Sequence, residues 1–479
     1  MRMRSGWLTE QEKALIYERA VFTLQRVGMR MAGTKHLQLL AAAGAEVDEP
    51  TAIVRFPPEM VQRAVKLTPR RLLMAGATPP ADVVLDEGAG PHFSSSGCVA
   101  KTLDYRTGKR RPSVLQDLRE GTAVYDETPE VDVVWTFATA NDVPVERREL
   151  VEYHTFLTHT AKPLVMVDCP SHIEAVKAIF EVLAGSLAAY RERPRMSALC
   201  AAFSPLAVDG RLLDHVIELA GCGAPLWLYS MPISGATAPV TIAGTLALVW
   251  AEILGMVTVV QHVHPGSGII ACCGPGILDM RTTNMSLGCL ENTLVGIGGT
   301  EVGHWLGLPV HNAGFSSDAK HAGIQAGYEK ALKGFAAASA GADFLSGGIG
   351  LIDSSNTWYM PLIPIEAEII AMIERMLGEV EVSQSTLLGE MVERVGIGGN
   401  FLGETETRRR VRAGEHFMPW IAARTSYDTW KTAGRTEIDV GRERAEQLLV
   451  RHAEREPSLT EDQQRELASI CGVVPGRTR

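Results

Sequence analysis

The sequence predicts an α/β protein built on a (β/α)8 TIM barrel with a helical N-terminal segment and a C-terminal extension. Three observations carry the barrel. From about residue 90 short β-rich runs alternate with amphipathic helical stretches, the unit recurs eight times, and the strands are apolar enough to be buried on both faces. A doubly wound open sheet is the alternative.

The elements follow in order. Residues 9–32 place apolar side chains at helical spacing behind a Thr9 cap, and Pro57 with Pro58 opens a second helix through Lys66. Strands are expected at 91–97, 131–138, 163–168, 196–203, 225–231, 266–273, 307–313 and 342–348. Helices are expected near 113–126, 146–160, 171–188, 210–221, 240–258, 283–305, 322–340 and 363–377. After about residue 380 the rhythm is lost: GIGGNFLGETETRRR leads into short helices ending near Cys471. The chain therefore divides into a helical N-terminal segment (1–89), the barrel (90–380) and a C-terminal extension (381–479).

Composition narrows the function. With 46% apolar and 21% charged residues and a net charge of −10, the chain suits neither a nucleic-acid surface nor an anionic membrane. Its eight cysteines lack zinc-ligand spacing and read as reduced, which with the absence of an N-terminal signal core points to the cytoplasm; no membrane anchor is expected. No phosphate loop, dinucleotide fingerprint or GxSxG elbow is present.

In a barrel of this kind the strand C-terminal ends and following loops carry the site. That face holds Ser94–Gly97, Asn141, Asp142, Asp168, Ser204, Tyr229, Ser230, 274–281, 311–320 and 347–356. The HVH run at His262–His264 resembles a metal pair but falls on the opposite face, and no metal site is expected. Cys272 and Cys273 end the sixth strand either as packing or as a thiolate.

The runs CCGPGILDMRT (272–282), SSDAKHAGIQAGYEK (316–330), ADFLSGGIGLID (342–353) and GGNFLGETET (398–407) resemble the trimethylamine methyltransferase family, in its branch without pyrrolysine, which includes glycine betaine methyltransferase. The resemblance implies a TIM barrel that moves a methyl group from a quaternary amine, glycine betaine-like, to the Co(I) centre of a separate corrinoid protein. It implies no tightly bound cofactor, a cognate corrinoid partner carrying the methylcorrinoid, and a homo-oligomer. Gly314 is the expected equivalent of the pyrrolysine position, and all residues here are among the standard twenty.

A quaternary ammonium already carries the activation that a tertiary amine lacks, because its leaving group is a neutral amine. Weak π and carbonyl contacts then suit the site better than a tight carboxylate pair, which would favour the ground state. Phe93, Trp135, Phe137, Tyr229, Phe315, Trp358 and Tyr359 lie near strand ends and form either an aromatic wall around such a head or barrel packing. Arg281, His311, Asn312 and Lys320 could fix a carboxylate, although Arg281 could instead pair with Asp279. Gly314 would leave space, Asp318 would brace the next helix, and Gln325 with Glu329 would orient the loop. No residue is assigned a certain catalytic role. A non-catalytic quaternary-amine-binding barrel and a metal-dependent hydrolase or lyase on the same fold are the other readings.

Overall fold

A computed structural model describes residues 6–86, 90–167 and 171–473, so Asp168 lies outside the described residues. The central sheet has eight strands: β1 (His92–Phe93), β2 (Val134–Trp135), β3 (Leu164–Met166), β4 (Met196–Ala201), β5 (Leu226–Ser230), β6 (Ile269–Cys273), β7 (Val310–Asn312) and β8 (Phe344–Leu345). Each falls inside the run expected for it, and all neighbouring pairs are parallel. The sheet closes on itself where Ser94 bridges Val133. There the Asp132 amide donates to the Phe93 carbonyl at 2.7 Å and the Ser95 amide to the Val133 carbonyl at 3.1 Å. The fold is therefore the barrel and not the open sheet.

Eight helices follow the strands: α1 (Leu115–Asp126), α2 (Val145–His159), α3 (Ile173–Ala184), α4 (Gly210–Gly221), α5 (Ile242–Val263), α6 (Leu290–Leu306), α7 (Ile324–Ser339) and α8 (Leu362–Leu377). The helix α5 qualifies the expectation of no membrane-length segment, since its 22 residues are long and apolar enough to cross a bilayer. It is apolar all round because it is covered all round. The barrel packs on one side of it, and the helices Glu10–Arg26 and Pro58–Leu67 on the other, where Leu24 and Met29 reach the backbone at Gly255. Its one carboxylate, Glu252, is buried but accepts hydrogen bonds from Ser204 and Ser230 hydroxyls and the Leu206 amide.

The first helix begins as expected, with Thr9 and Glu12 forming a reciprocal capping box. Two parts of the N-terminal segment are less apparent in the sequence. Met29–Arg30, Glu46–Asp48 and Ile53–Arg55 form an antiparallel sheet, and Leu72–Met74 pairs with Val83–Leu85 in a hairpin. The hairpin's Leu72, Met74, Val83 and Leu85 share one apolar cluster with Trp227, Ile270 and Phe344, so they stopper the N-terminal end of the barrel. At the C-terminal end, two small sheets are built from the loops. One joins Lys101–Leu103 and Arg110–Pro112 to Leu351–Ile352 and Thr357–Trp358, and the other joins Ile233–Ser234 to Gly276–Leu278 and Met285–Ser286.

These loops are tied down from behind by buried charge. Lys330 on α7 lies 2.8 Å from Glu366 on α8, and both side chains are almost fully buried. The lysine also donates to the carbonyls of Phe315 and Gly348, while Glu366 accepts from the Gly350 amide at 2.7 Å. Burial pushes the lysine's pKa down and the glutamate's up, and their mutual attraction opposes both shifts. Removing one charge strands the other in a medium that cannot solvate it. Glu366→Gln should therefore lower stability by about 3 to 5 kcal/mol in urea denaturation, and a loss below about 1 kcal/mol would show that the pair is not the brace described.

Candidate active site

Side chains alternate along a strand, so every second residue of the closed barrel points to its axis. The inward set includes Trp135 of β2, Leu199 of β4, Trp227 and Tyr229 of β5, Cys272 of β6 and Phe344 of β8, which pack as one interior cluster. His311 of β7 joins them. Its ring lies 5.5 Å from those of Trp135 and Trp227 and 5.4 Å from that of Tyr229, centroid to centroid. Trp135 meets Trp227 edge-on at 5.1 Å. Trp227 donates its indole N–H to Ser197 at 2.9 Å and lies deeper, above Phe344. Tyr229 sits one inward position further toward the mouth, and its hydroxyl makes no hydrogen bond among the described residues. The result is a buried aromatic cluster on the barrel axis, with Tyr229 nearest the loop end.

Of the expected site residues, the structure brings Trp135, Tyr229 and His311 together. It places the others elsewhere, for identifiable reasons. Phe93 follows inward-facing His92 and so points outward, packing edge-on against Phe315 at 5.9 Å in the layer between barrel and helices. After Trp135 the chain leaves the barrel to pair with Val99. Phe137 therefore lands among Tyr125, Phe156 and Trp358 in the same outer layer. Trp358 donates to the Tyr125 hydroxyl at 3.3 Å. Of the expected residues, Phe93, Phe137, Phe315 and Trp358 therefore lie outside the axial cluster. Asn312 alternates with His311 and faces α6, with its Nδ2 3.5 Å from Thr300 Oγ1.

Gly314 also departs from expectation. A side chain there would meet Leu345 at 2.9 Å and Ala337 at 3.2 Å, so the position opens onto α7 and not onto the mouth. Arg281 is exposed and folds back on Asp279 at 2.8 Å, holding its own hairpin loop. Lys320 likewise pairs with Asp353. Asp318 braces the preceding loop instead of the next helix, accepting from the amides of Leu287 and Gly288 and from the hydroxyls of Ser286 and Ser354. Glu329 accepts from Gln325, from the Ser317 hydroxyl and from the Asp318 amide, which is the loop-orienting role its spacing suggested. Cys272 faces the interior and Cys273 faces α6. Burial raises both thiols far from a reactive range, Cys273 to about 12. His262 pairs with Arg63 at the far end of the barrel, away from the chamber.

Several contributors were not singled out from the sequence. Trp227 is two residues before Tyr229, so period-two alternation alone would have added it to the interior. Ser346, at the end of β8, hydrogen-bonds His311 Nε2. Lys333 on α7 donates to the carbonyls of Leu287 and Ser316, fixing two rim loops at once. Its spacing from Lys330 offered a helical signal, but nothing in the pattern shows that both ammonium groups turn inward.

Around this cluster the described side chains are uncharged, and the ionisable His92 lies at the opposite, N-terminal end beside Asp132. Among the described strand residues that alternation turns inward, none is Asp, Glu, Lys or Arg, and the buried Glu252, Lys330 and Lys333 are hydrogen-bonded in the layer behind. Burial pushes the His311 pKa down to about 3, so the ring is neutral at physiological pH. Among the described residues no group of three or more His, Cys, Asp or Glu is placed to hold a metal ion. Aromatic ring faces suit a delocalised, weakly hydrated cation, and a carboxylate beside it would instead hold it in its ground state.

Comparison with known proteins agrees with this architecture. The profile of the trimethylamine methyltransferase (MTTB) family matches residues 3–471. The trimethylamine methyltransferase MttB1 of Methanosarcina mazei is 29% identical over 435 residues, covering 90% of this chain and 87% of that one. The glycine betaine methyltransferase of Desulfitobacterium hafniense is 25% identical over 425 residues, covering 88% of each. Among solved structures, the hydroxylamine complex of MtmB superposes with a TM-score of 0.50 at 14% identity, over 99% of this chain and 97% of that one, and so shares the fold. With nearly its whole length matched, this chain belongs to the trimethylamine methyltransferase family.

Proposed function

We propose that the protein transfers a methyl group from a quaternary ammonium compound to the Co(I) centre of a corrinoid carried by a separate protein. The observation that carries this reading is the family match over residues 3–471, and the aromatic cluster of Trp135, Trp227, Tyr229 and neutral His311 on the barrel axis supports it. In the transfer, the cobalt electron pair attacks a methyl carbon, the C–N bond breaks and its pair stays on nitrogen. The leaving group is a neutral tertiary amine. No proton has to be supplied, so a chamber without an acid is sufficient, and its work is to position the ammonium and exclude water. Because positive charge on nitrogen is lost in the transition state, ring faces are better partners than a carboxylate would be. The sequence holds only standard residues, which fits a substrate that needs no further activation.

Corrinoid partner, cytoplasmic location and a homo-oligomeric assembly complete the proposal. The methyl acceptor would approach from the loop end, since the other end of the barrel is stoppered by the hairpin of Leu72–Met74 and Val83–Leu85. The 1–89, 90–380 and 381–479 segments would then serve as stopper, catalytic barrel and outer extension.

Mixing the protein with a Co(I) corrinoid protein and following the cobalt spectrum should show methylation with quaternary ammonium compounds and not with trimethylamine. Equal turnover of trimethylamine would contradict the leaving-group argument. Acid sensitivity provides a second outcome. The unfolded chain protonates His311 near its ordinary 6.5, whereas the folded ring resists protonation down to about 3. Stability should therefore fall as pH drops through that window and be unaffected by this group above it. His311→Asn should remove that part of the loss in urea titrations at several pH values; an unchanged pH dependence would place the ring in a wetter setting than described.

A further inference from the structure

Of residues 380–437, all of them described, only Met391 and Ile421 are buried. The segment is nevertheless folded into four helices, Gln384–Leu387, Gly389–Val395, Thr405–Arg412 and Tyr427–Ala433, of four to eight residues each. Helices shorter than about 12 residues are marginal in water unless an apolar face packs against something. Here the chain itself supplies little of that packing. The segment hangs on α8, where Glu368 accepts from the amides of Ile421 and Ala422 and Arg375 donates to the Glu415 carbonyl at 3.2 Å.

Its surface is apolar where a solvated segment would be polar. Val382, Leu387, Ile397, Leu402, Met418 and Tyr427 are all more than half exposed, and this short stretch holds twelve of the thirty-two exposed large apolar side chains among the described residues. Apolar side chains gathered in this way mark a surface that something covers. Charge describes the cover. The eight basic and eight acidic residues of the segment cancel, so the chain's net −10 sits on the rest of it. Arg408 and Arg412 form no ion pair among the described residues, although their neighbours Arg409 and Arg410 both pair with Glu406. An acidic surface from outside the chain would complete them.

We propose that residues 380–437 form an arm that packs on a second copy of this chain, as one half of a two-fold interface. This rests on the homo-oligomeric assembly proposed above and names the surface that makes it. The occupant follows from permanence and from charge. Helices that fold only when covered need a partner that stays, whereas a carrier that takes a methyl group away has to leave after each transfer and would strip the arm each time. A second copy stays. Its acidic body also meets Arg408 and Arg412, while the neutral arm avoids the repulsion that two bodies of net charge −10 would otherwise feel. The exposed apolar side chains then supply the apolar centre that a permanent homodimer interface has.

Size-exclusion chromatography with light scattering, on the full chain and without any corrinoid protein, tests this. The wild type should run as a dimer or a larger closed assembly at micromolar concentration. Ile397 and Leu402 lie almost wholly in solvent in a single copy, so Ile397→Asp with Leu402→Asp costs the isolated fold little. In the assembly the same pair buries two unpaired charges, and the dissociation constant should rise at least roughly hundredfold. Arg408→Glu with Arg412→Glu should raise it roughly tenfold with the apolar contacts intact, and keeps the test open if the first pair of changes prevents folding. Dissociated protein should also lose the arm's share of helix in far-ultraviolet circular dichroism. A monomeric wild type would overturn both the inference and the assembly it rests on. Assembly equally tight in both variants would overturn the inference alone and place the interface elsewhere. Arm amides protected from hydrogen exchange only after a corrinoid protein is added would overturn it in favour of a docking site for the carrier. Arm-dependent assembly in a protein that methylates no cobalt would support the inference and count against methyl transfer only.

Discussion

Closure of the barrel between β1 and β2 is the constraint on which the site depends. Once Ser94 and Val133 are joined, the inward parity of every strand is set, because a shift of one residue would turn the whole interior set to the helices. That parity sends Trp135, Trp227, Tyr229 and His311 to the axis and Phe93 and Asn312 away from it. The chamber is thus a consequence of register before it is a matter of loop conformation. The loops above it are then held by α7 and α8, whose Lys330, Lys333 and Glu366 bind the backbone on either side of β7 and β8.

The placement of charge follows a consistent logic. The buried ions of the barrel's upper half lie behind the walls, each matched to carbonyls, amides or an opposite charge, and the described strand residues that face the axis include no Asp, Glu, Lys or Arg. An arrangement with a carboxylate inside would bind an ammonium more strongly and release its charge less readily as the methyl group leaves. The interior instead offers polarisable ring faces and a neutral imidazole. Stability and chemistry are separated in space: removing a charge behind the wall should affect folding, whereas changing the rings at the axis should affect binding.

Much of the fold was legible in the sequence because the repeating strand and helix periods are strong and local. Even strands only two or three residues long, such as β1, β2 and β8, fell inside their expected runs. The site was less legible. Proximity to a strand end placed Phe137, Phe315 and Trp358 near the mouth on paper, but where a strand leaves the barrel is decided by partners far away in the chain, here Val99 for the segment after Trp135. Gly314 was misdirected for a related reason: after β7 the chain turns toward α7, and no local pattern records that turn. The hairpin that stoppers the barrel was missed because its two strands lie before residue 90, outside the repeating strand-and-helix rhythm that marked the others.

The central claim is that the barrel interior is the binding chamber for a quaternary ammonium head. A crystal structure of the protein soaked with glycine betaine tests it most directly. The account predicts the trimethylammonium group among the rings of Trp135, Tyr229 and His311, with at least one N-methyl group facing the loop end. Ligand bound outside the barrel, or an interior closed to it while methyl transfer proceeds, would contradict the account.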